Sequence, residues 1–136
     1  MSGGALVLAV VLVCLGGAAG SVARWGLREG ATHLTLVHRP QRAEGARTWS
    51  TLAANVLACF LMGVVVALLG SSTGGAEIAY LALAVGFCGG LSTLSTAAMD
   101  IVEVMRRSGF ALALAYLLLS IGAGMAALWI GLVLAS

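Results

Sequence analysis

The stretch Gly86–Asp100, GFCGGLSTLSTAAMD, decides how this chain of 136 residues folds. It lies in a hydrophobic run that is long enough to cross a membrane, yet it contains three glycines and four hydroxyl side chains. Glycine weakens a helix, and Ser and Thr offer the backbone other hydrogen-bond partners. Irregular backbone at membrane depth is tolerated only where protein or a water-filled cavity covers it. The stretch therefore predicts a helix that breaks in mid-membrane, with a packing face of small residues as the alternative.

The composition excludes a soluble domain. Hydrophobic residues make up 61% of the chain and charged residues only 9%, which is too little charged surface for a soluble fold. A helix needs about 20 apolar residues to cross a bilayer. The sequence has four runs of about that length, at residues 5–27, 51–69, 78–104 and 110–135. We predict an all-α membrane protein in which residues 1–136 form a single domain of four transmembrane helices.

The charges predict the orientation. The chain has no lysine, and its arginines lie at or in two of the three connections, namely the first, about 28–48, and the third, 106–109: Arg24, Arg28, Arg39, Arg42, Arg47, Arg106 and Arg107. With four crossings, these two connections share one side of the membrane. Arginine-rich connections stay in the cytoplasm. We expect a multi-pass protein of the cell membrane with both termini outside the cytoplasm.

Polar residues inside the predicted spans have two possible roles each. Gly16 and Gly20 lie one turn apart, so a neighbouring helix can approach closely. Arg24 follows them, either as a cytoplasmic-end arginine whose charge reaches water or as a charge that attracts anions. Thr51 and Asn55 also lie one turn apart and offer hydrogen-bond donors. They either join helices or line a hydrated path.

The remaining polar residues exclude several functional classes. Tyr116 and Ser120 are one turn apart in the last span, as in ordinary packing. The sequence contains no arrangement of a nucleophile with its base, no phosphate-binding loop and no nucleic-acid surface, so we expect neither an enzyme nor a nucleic-acid partner. No acidic residue lies in the middle of any predicted span. A small multidrug exporter, which needs such a carboxylate early in the chain, is therefore disfavoured.

The ordered motifs resemble the CrcB family of small fluoride channels, also called Fluc. The resemblance rests on GGAAGSVARW at 16–25, STLAANVLACFLMG at 50–63, GFCGGLSTLST at 86–96, and the pair Tyr116 and Ser120. Each motif is weak alone, but the set covers nearly the whole chain. The family implies an antiparallel dimer of four-helix subunits with a broken third helix and two pores along the subunit interface.

The resemblance also implies which residues take part. The backbone carbonyls of Gly89 and Ser92 would hold a structural sodium ion at the dimer centre. The residues implied along the ion pathway are Arg24, Thr51, Asn55, Leu94, Ser95, Thr96, Ala97, Asp100, Tyr116 and Ser120. Hydroxyl and amide donors suit fluoride, which must exchange its water for weak, repeated donors. Fluoride, membrane lipid and a second subunit are the implied partners.

Leu94 and Ala97 depart from the family pattern. The family has a phenylalanine at each of these positions, where the positive ring edge faces the anion, and this chain has aliphatic residues. A chain that inserts both ways also needs balanced charge, whereas these arginines lie on one side. We therefore expect a heterodimer with a paralogous chain of opposite orientation. The alternatives are a non-conducting scaffold subunit, and a homodimeric channel into which the two residues were engineered.

Overall fold

The computed structural model describes residues 3–38, 43–71 and 73–136. Helix α1 runs from Gly3 to His38 and helix α2 from Ala43 to Leu69. The third span, 75–108, consists of several pieces, and helix α6, Phe110–Ala135, forms the fourth. All four spans are long and apolar enough to cross a membrane. The prediction of an all-α fold with four transmembrane helices is confirmed.

The third span changes its winding twice before it breaks. It begins as α3, Gly75–Tyr80, continues as a π-helical segment, Leu81–Cys88, and ends its first part with the short helix α4, Gly89–Leu91. Helix α5, Leu94–Ser108, forms the second part. Between them, Ser92 (φ −76°, ψ 156°) and Thr93 (φ −151°, ψ 117°) are extended. The predicted break is confirmed, whereas the π-helical segment, a rare form that often accompanies functional sites, was not predicted.

Glycines allow α1 to pack directly on the backbone of the third span. A Cβ atom on Gly86 would lie 2.7 Å from the carbonyl oxygen of Val13, and one on Gly20 would lie 2.8 Å from the amide nitrogen of Leu91. Such distances leave no space for a side chain. The close approach predicted from the spacing of Gly16 and Gly20 is therefore confirmed, and the third span is the helix that uses it.

A second glycine contact joins α2 to α6. A Cβ atom on Gly63 would lie 2.9 Å from the amide nitrogen of Leu132, and one on Gly131 would lie 3.1 Å from that of Val64. Most buried apolar residues of the described chain are alanines, and Leu91 is the largest side chain that is fully buried. Many large apolar side chains point outward instead. Transmembrane helices that associate through small residues have this distribution.

The first connection is mostly helical, contrary to the polar loop predicted for residues 28–48. Helix α1 continues beyond its predicted end at residue 27, and α2 begins before its predicted start at residue 51. The segment beyond residue 27 contains no proline until Pro40, which lies outside the described residues. Polarity marks where a helix leaves the lipid, but only a residue such as proline forces it to end. Thirty-six residues of α-helix are about 54 Å long.

Three arginines from the first and third connections lie at the same end of the bundle. Arg28, Arg47 and Arg107 line one open groove of about 630 Å³. This arrangement follows from four antiparallel crossings, and it places the basic residues together as the sequence indicated. Arg39 and Arg42 lie outside the described residues. The orientation of this end towards the cytoplasm stays a prediction from the charge distribution.

Candidate functional site at the helix break

The break, Ser92 and Thr93, removes the normal helical partners of several backbone groups. The amide of Ser92 still donates to the carbonyl of Cys88, at 3.0 Å. The amide of Thr93 would reach the carbonyl of Gly89 in a continuous helix, but it donates to the side chain of Asn55 instead. Unpaired backbone groups are costly inside a membrane. The break therefore depends on side chains that replace the lost helical bonds.

Asn55 binds the break with both ends of its amide. Its Oδ1 accepts from the Thr93 amide at 2.7 Å, and its Nδ2 donates to the Thr93 carbonyl at 3.3 Å. Of the two roles that the sequence allowed, the structure places Asn55 between helices, where it joins α2 to the third span. An amide nitrogen carries two protons, so one proton of Nδ2 remains for another acceptor. A role for Asn55 in the ion pathway stays a prediction.

Thr93 connects the polar residues around the break. Its Oγ1 accepts from the Thr96 amide at 3.3 Å and so caps the N-terminus of α5. The same hydroxyl donates to Thr96 Oγ1 at 3.1 Å and lies 3.3 Å from Ser95 Oγ. Ser95 and Thr96 are predicted site residues, whereas Thr93 is not. Thr is a favoured N-cap residue, and the glycines at 89 and 90 weaken the helix before it, so these local features could have identified Thr93 as a helix start.

A cavity of about 170 Å³ lies beside the break. It brings together three predicted pathway residues, Arg24, Thr51 and Thr96, with Thr93 and Arg28. The two guanidinium groups lie one turn apart on α1 and give the cavity a positive potential. The Thr51 hydroxyl donates to the carbonyl of Arg47 at 3.1 Å, so its proton is already bound. This cavity can attract an anion and offer it hydroxyl groups.

Other predicted residues, Asp100, Tyr116 and Ser120, lie outside the lining of this cavity. Asp100 lines the open groove at the arginine end of the bundle, and its Oδ2 is buried without a hydrogen-bond partner among the described residues. The buried Tyr116 hydroxyl donates to the carbonyl of Thr48 at 3.2 Å. Ser120 and Asp100 lie close enough to Tyr116 to interact with its phenol. The structure thus brings only some of the predicted pathway residues together in the cavity beside the break.

The outer side of the break is exposed in a single subunit. Leu94 has 87% of its surface exposed, Ser95 is exposed, and Ala97 is half-buried. Gly89 is also exposed, and its carbonyl accepts from Ser92 Oγ at 3.3 Å. A Cβ atom on Gly89 would meet nothing within 4 Å, so the backbone there can be approached. Exposed carbonyl oxygens at a break are the ligand type that suits a hard cation such as sodium.

The comparisons with known proteins agree with this architecture. The family model described as CrcB-like protein, Camphor Resistance (CrcB), matches residues 11–132. The chain belongs to the CrcB family. The matched range begins within α1 and ends within α6, so it includes the break, Asn55 and both glycine contacts of the CrcB fold.

Curated relatives of this CrcB chain are named as ion channels, which are not enzymes. The protein named Fluoride-specific ion channel FluC from Phenylobacterium zucineum (strain HLK1) is 38% identical over 128 residues, covering 93% of this chain and 94% of its own. The protein of the same name from Chelativorans sp. (strain BNC1) is 36% identical over 126 residues, with the same coverage of both chains. Fluoride-specific ion channel FluC 2 from Rhodococcus jostii (strain RHA1) is 33% identical over 129 residues, covering 95% of this chain and all of its own.

Proposed function

We propose that this chain is a subunit of a passive fluoride channel of the cell membrane, through which cytoplasmic fluoride escapes. The names of its relatives support the choice of ion. The observation that carries the proposal is the group of hydroxyls at the helix break, beside a cavity lined by Arg24 and Arg28. Fluoride is small and strongly hydrated, so a pore must replace its water with donors that bind weakly enough to release it.

The path proposed for fluoride begins at the arginine end. The guanidinium groups raise the local anion concentration there without binding the ion tightly. Beyond them, hydroxyls and the free amide proton of Asn55 serve as successive donors. Tyr116 and Ser120 extend this polar surface along α6. No step needs a chemical reaction, so the gradient and the membrane potential alone drive export.

The active assembly is proposed to be an antiparallel dimer. Leu94, Ser95 and Gly89 lie open on one subunit, although irregular backbone at this depth must be covered by protein or water. A second subunit that packs on this face would cover the break and complete the two pores along the subunit interface. The remaining exposed apolar surface would contact membrane lipid.

The partner is proposed to be a paralogous chain of opposite orientation. Arg28, Arg47 and Arg107 line a groove at one end of the bundle, and such a bias opposes insertion in both directions. Leu94 and Ala97 have no ring edges for an anion, so a phenylalanine-bearing partner would supply the aromatic part of the pores. Sodium at the dimer centre is proposed to be structural, held by the carbonyls of Gly89 and Ser92. These residues would supply carbonyl oxygen ligands, and the positive charge of the ion would interact favourably with their partial negative charges.

Fluoride efflux from liposomes tests the proposal. The chain should be reconstituted alone, together with a phenylalanine-bearing paralogue from the same genome, and alone with the changes Leu94→Phe and Ala97→Phe. We expect the two chains together to release fluoride faster than chloride, and the unchanged chain alone to release none. The doubly substituted chain alone should also release fluoride if its new phenylalanines replace those of the partner. If no combination releases fluoride, the channel function is wrong. If the unchanged chain alone conducts fully, the heterodimer is wrong.

A non-conducting scaffold is the second candidate. It is favoured because the Thr51 proton and one Asn55 proton are already bound within the subunit. The discriminating variant is Thr96→Val, tested in the complex with an unchanged partner. A conducting role predicts slower fluoride efflux per channel, whereas a pure scaffold predicts unchanged efflux at equal complex yield.

A further inference from the structure

We propose that Thr93 is a positioning residue that leaves Thr96 as the hydroxyl donor facing the ion. This inference rests on the proposed fluoride channel and names the donor within it. Thr93 does not need to touch fluoride itself. It acts by fixing the direction of the Thr96 hydroxyl proton, as the hydroxyl protons around the break show when they are assigned one by one.

Each hydroxyl has one proton and two lone pairs. The Ser92 proton is donated to the Gly89 carbonyl, at 3.3 Å. The Thr93 proton is donated to Thr96 Oγ1, at 3.1 Å. Because Thr93 has no second proton, Ser95 must be the donor in the 3.3 Å contact between their hydroxyls. Three of the four protons are thereby used within the subunit.

The Thr96 proton is the remaining one. Its oxygen receives the Thr93 proton, and none of the hydrogen bonds among the described residues uses the Thr96 proton. Thr96 also lines the cavity that contains Arg24 and Arg28. A hydroxyl whose oxygen is already occupied by a donor must turn its own proton elsewhere. An anion in the cavity is the acceptor that this geometry favours, since hydrogen bonds to charged acceptors are the stronger ones.

Thr93 is held firmly enough for this task. Asn55 binds both its amide and its carbonyl, and the side chain is only 8% exposed. The Thr96 amide donates to one lone pair of Thr93 Oγ1 and the Ser95 hydroxyl donates to the other. The Thr93 proton therefore points in the remaining direction, towards Thr96 Oγ1. A fixed donor needs no reorganisation when the ion arrives, which is the advantage of a preorganised polar site.

The test compares Thr93→Val, Thr93→Ser and Thr35→Val in the conducting complex. Valine keeps the shape of threonine without the hydroxyl, and serine keeps the hydroxyl. Thr35 is the matched control, because its hydroxyl also bonds to backbone, at 2.8 Å from the Ala31 carbonyl, but it lies far along α1. Fluoride efflux should be recorded at low protein density, so that the rate per active channel and the fraction of vesicles with a channel are measured separately.

We expect Thr93→Val to lower the rate per channel about tenfold, because the bond from Thr96 to the ion weakens when Thr93 no longer fixes the direction of the Thr96 proton. Thr93→Ser should restore the rate to within about twofold, and Thr35→Val should change neither quantity. If Thr93→Val lowers only the fraction of active vesicles, its role is merely structural and the inference is wrong. If Thr93→Val leaves the rate per channel unchanged, the inference is also wrong, whereas the channel function stands. A parent complex that releases no fluoride overturns both.

Discussion

The two parts of the third span are stabilised in different ways. The part before the break packs on α1 through glycines, and Ala84, Gly86, Cys88 and Leu91 are buried there. Helix α5, after the break, has 15 residues and none is fully buried. Its first turn is held by hydrogen bonds to Thr93. The first part is therefore an anchor packed against α1, and the second part has a largely exposed face, which is the face proposed for the ion and the partner.

The largest loss of stability is expected when a side chain is introduced at a glycine of the anchor. Gly86→Val would place atoms against the Val13 backbone, where a Cβ alone would lie at 2.7 Å. Backbone cannot move aside as a flexible side chain can, so we expect a loss of at least about 3 kcal/mol, the upper range of overpacking. The yield of monodisperse protein and its unfolding in detergent measure this. Gly122→Val is the control, because a Cβ there would meet nothing within 4 Å.

An intermediate effect is expected at the junction of the two parts. Asn55→Ala leaves the amide and carbonyl of Thr93 without the partners they have now. The expected loss of unfolding free energy is about 2–4 kcal/mol, since two buried polar groups lose a bond. Leu57→Ala, at an exposed position of the same helix, should cost less. Equal losses in the two variants would contradict a role of Asn55 in holding the break.

The smallest effect is expected at the far end of α5. Glu103 and Arg107 form an ion pair one turn apart, with about half of each side chain exposed: 51% and 53%. Exposed pairs of this kind contribute about 0.3–0.5 kcal/mol. Glu103→Gln should therefore change the unfolding free energy by no more than that, with a still smaller change in high salt. If Glu103→Gln lowered the unfolding free energy as much as Asn55→Ala, the ion pair would be needed to stabilise α5 and this prediction would be wrong.

The break was predictable because its cause is local. Gly89, Gly90 and the hydroxyls after them weaken a helix wherever they occur. The close approach at Gly16 and Gly20 was predictable for the same reason, since the spacing alone creates a smooth face. The sequence motifs were also sufficient to recognise the family, which the match over residues 11–132 confirms.

The partners across the fold were not predictable. Asn55 and Thr93 are 38 positions apart, and nothing in either segment says that an amide would bind a distant backbone. The N-cap role of Thr93 is local, but its contact with Asn55 is not, so the sequence could not show how firmly Thr93 is held. The end of α1 was misjudged for another reason. Hydropathy reports where the lipid ends, whereas the helix continues through polar residues to His38.

The length of α1 makes the protein easier to orient in an image. A helix of about 54 Å exceeds the roughly 30 Å of hydrocarbon, so a rod of about 24 Å extends beyond the hydrocarbon and about 10 Å of it beyond the headgroups. A subunit of 13.6 kDa offers few other landmarks. Two such rods on opposite faces of a particle would mark two antiparallel copies of this chain, and two on the same face would mark parallel copies. A single rod would mark a partner that ends its first helix at the membrane.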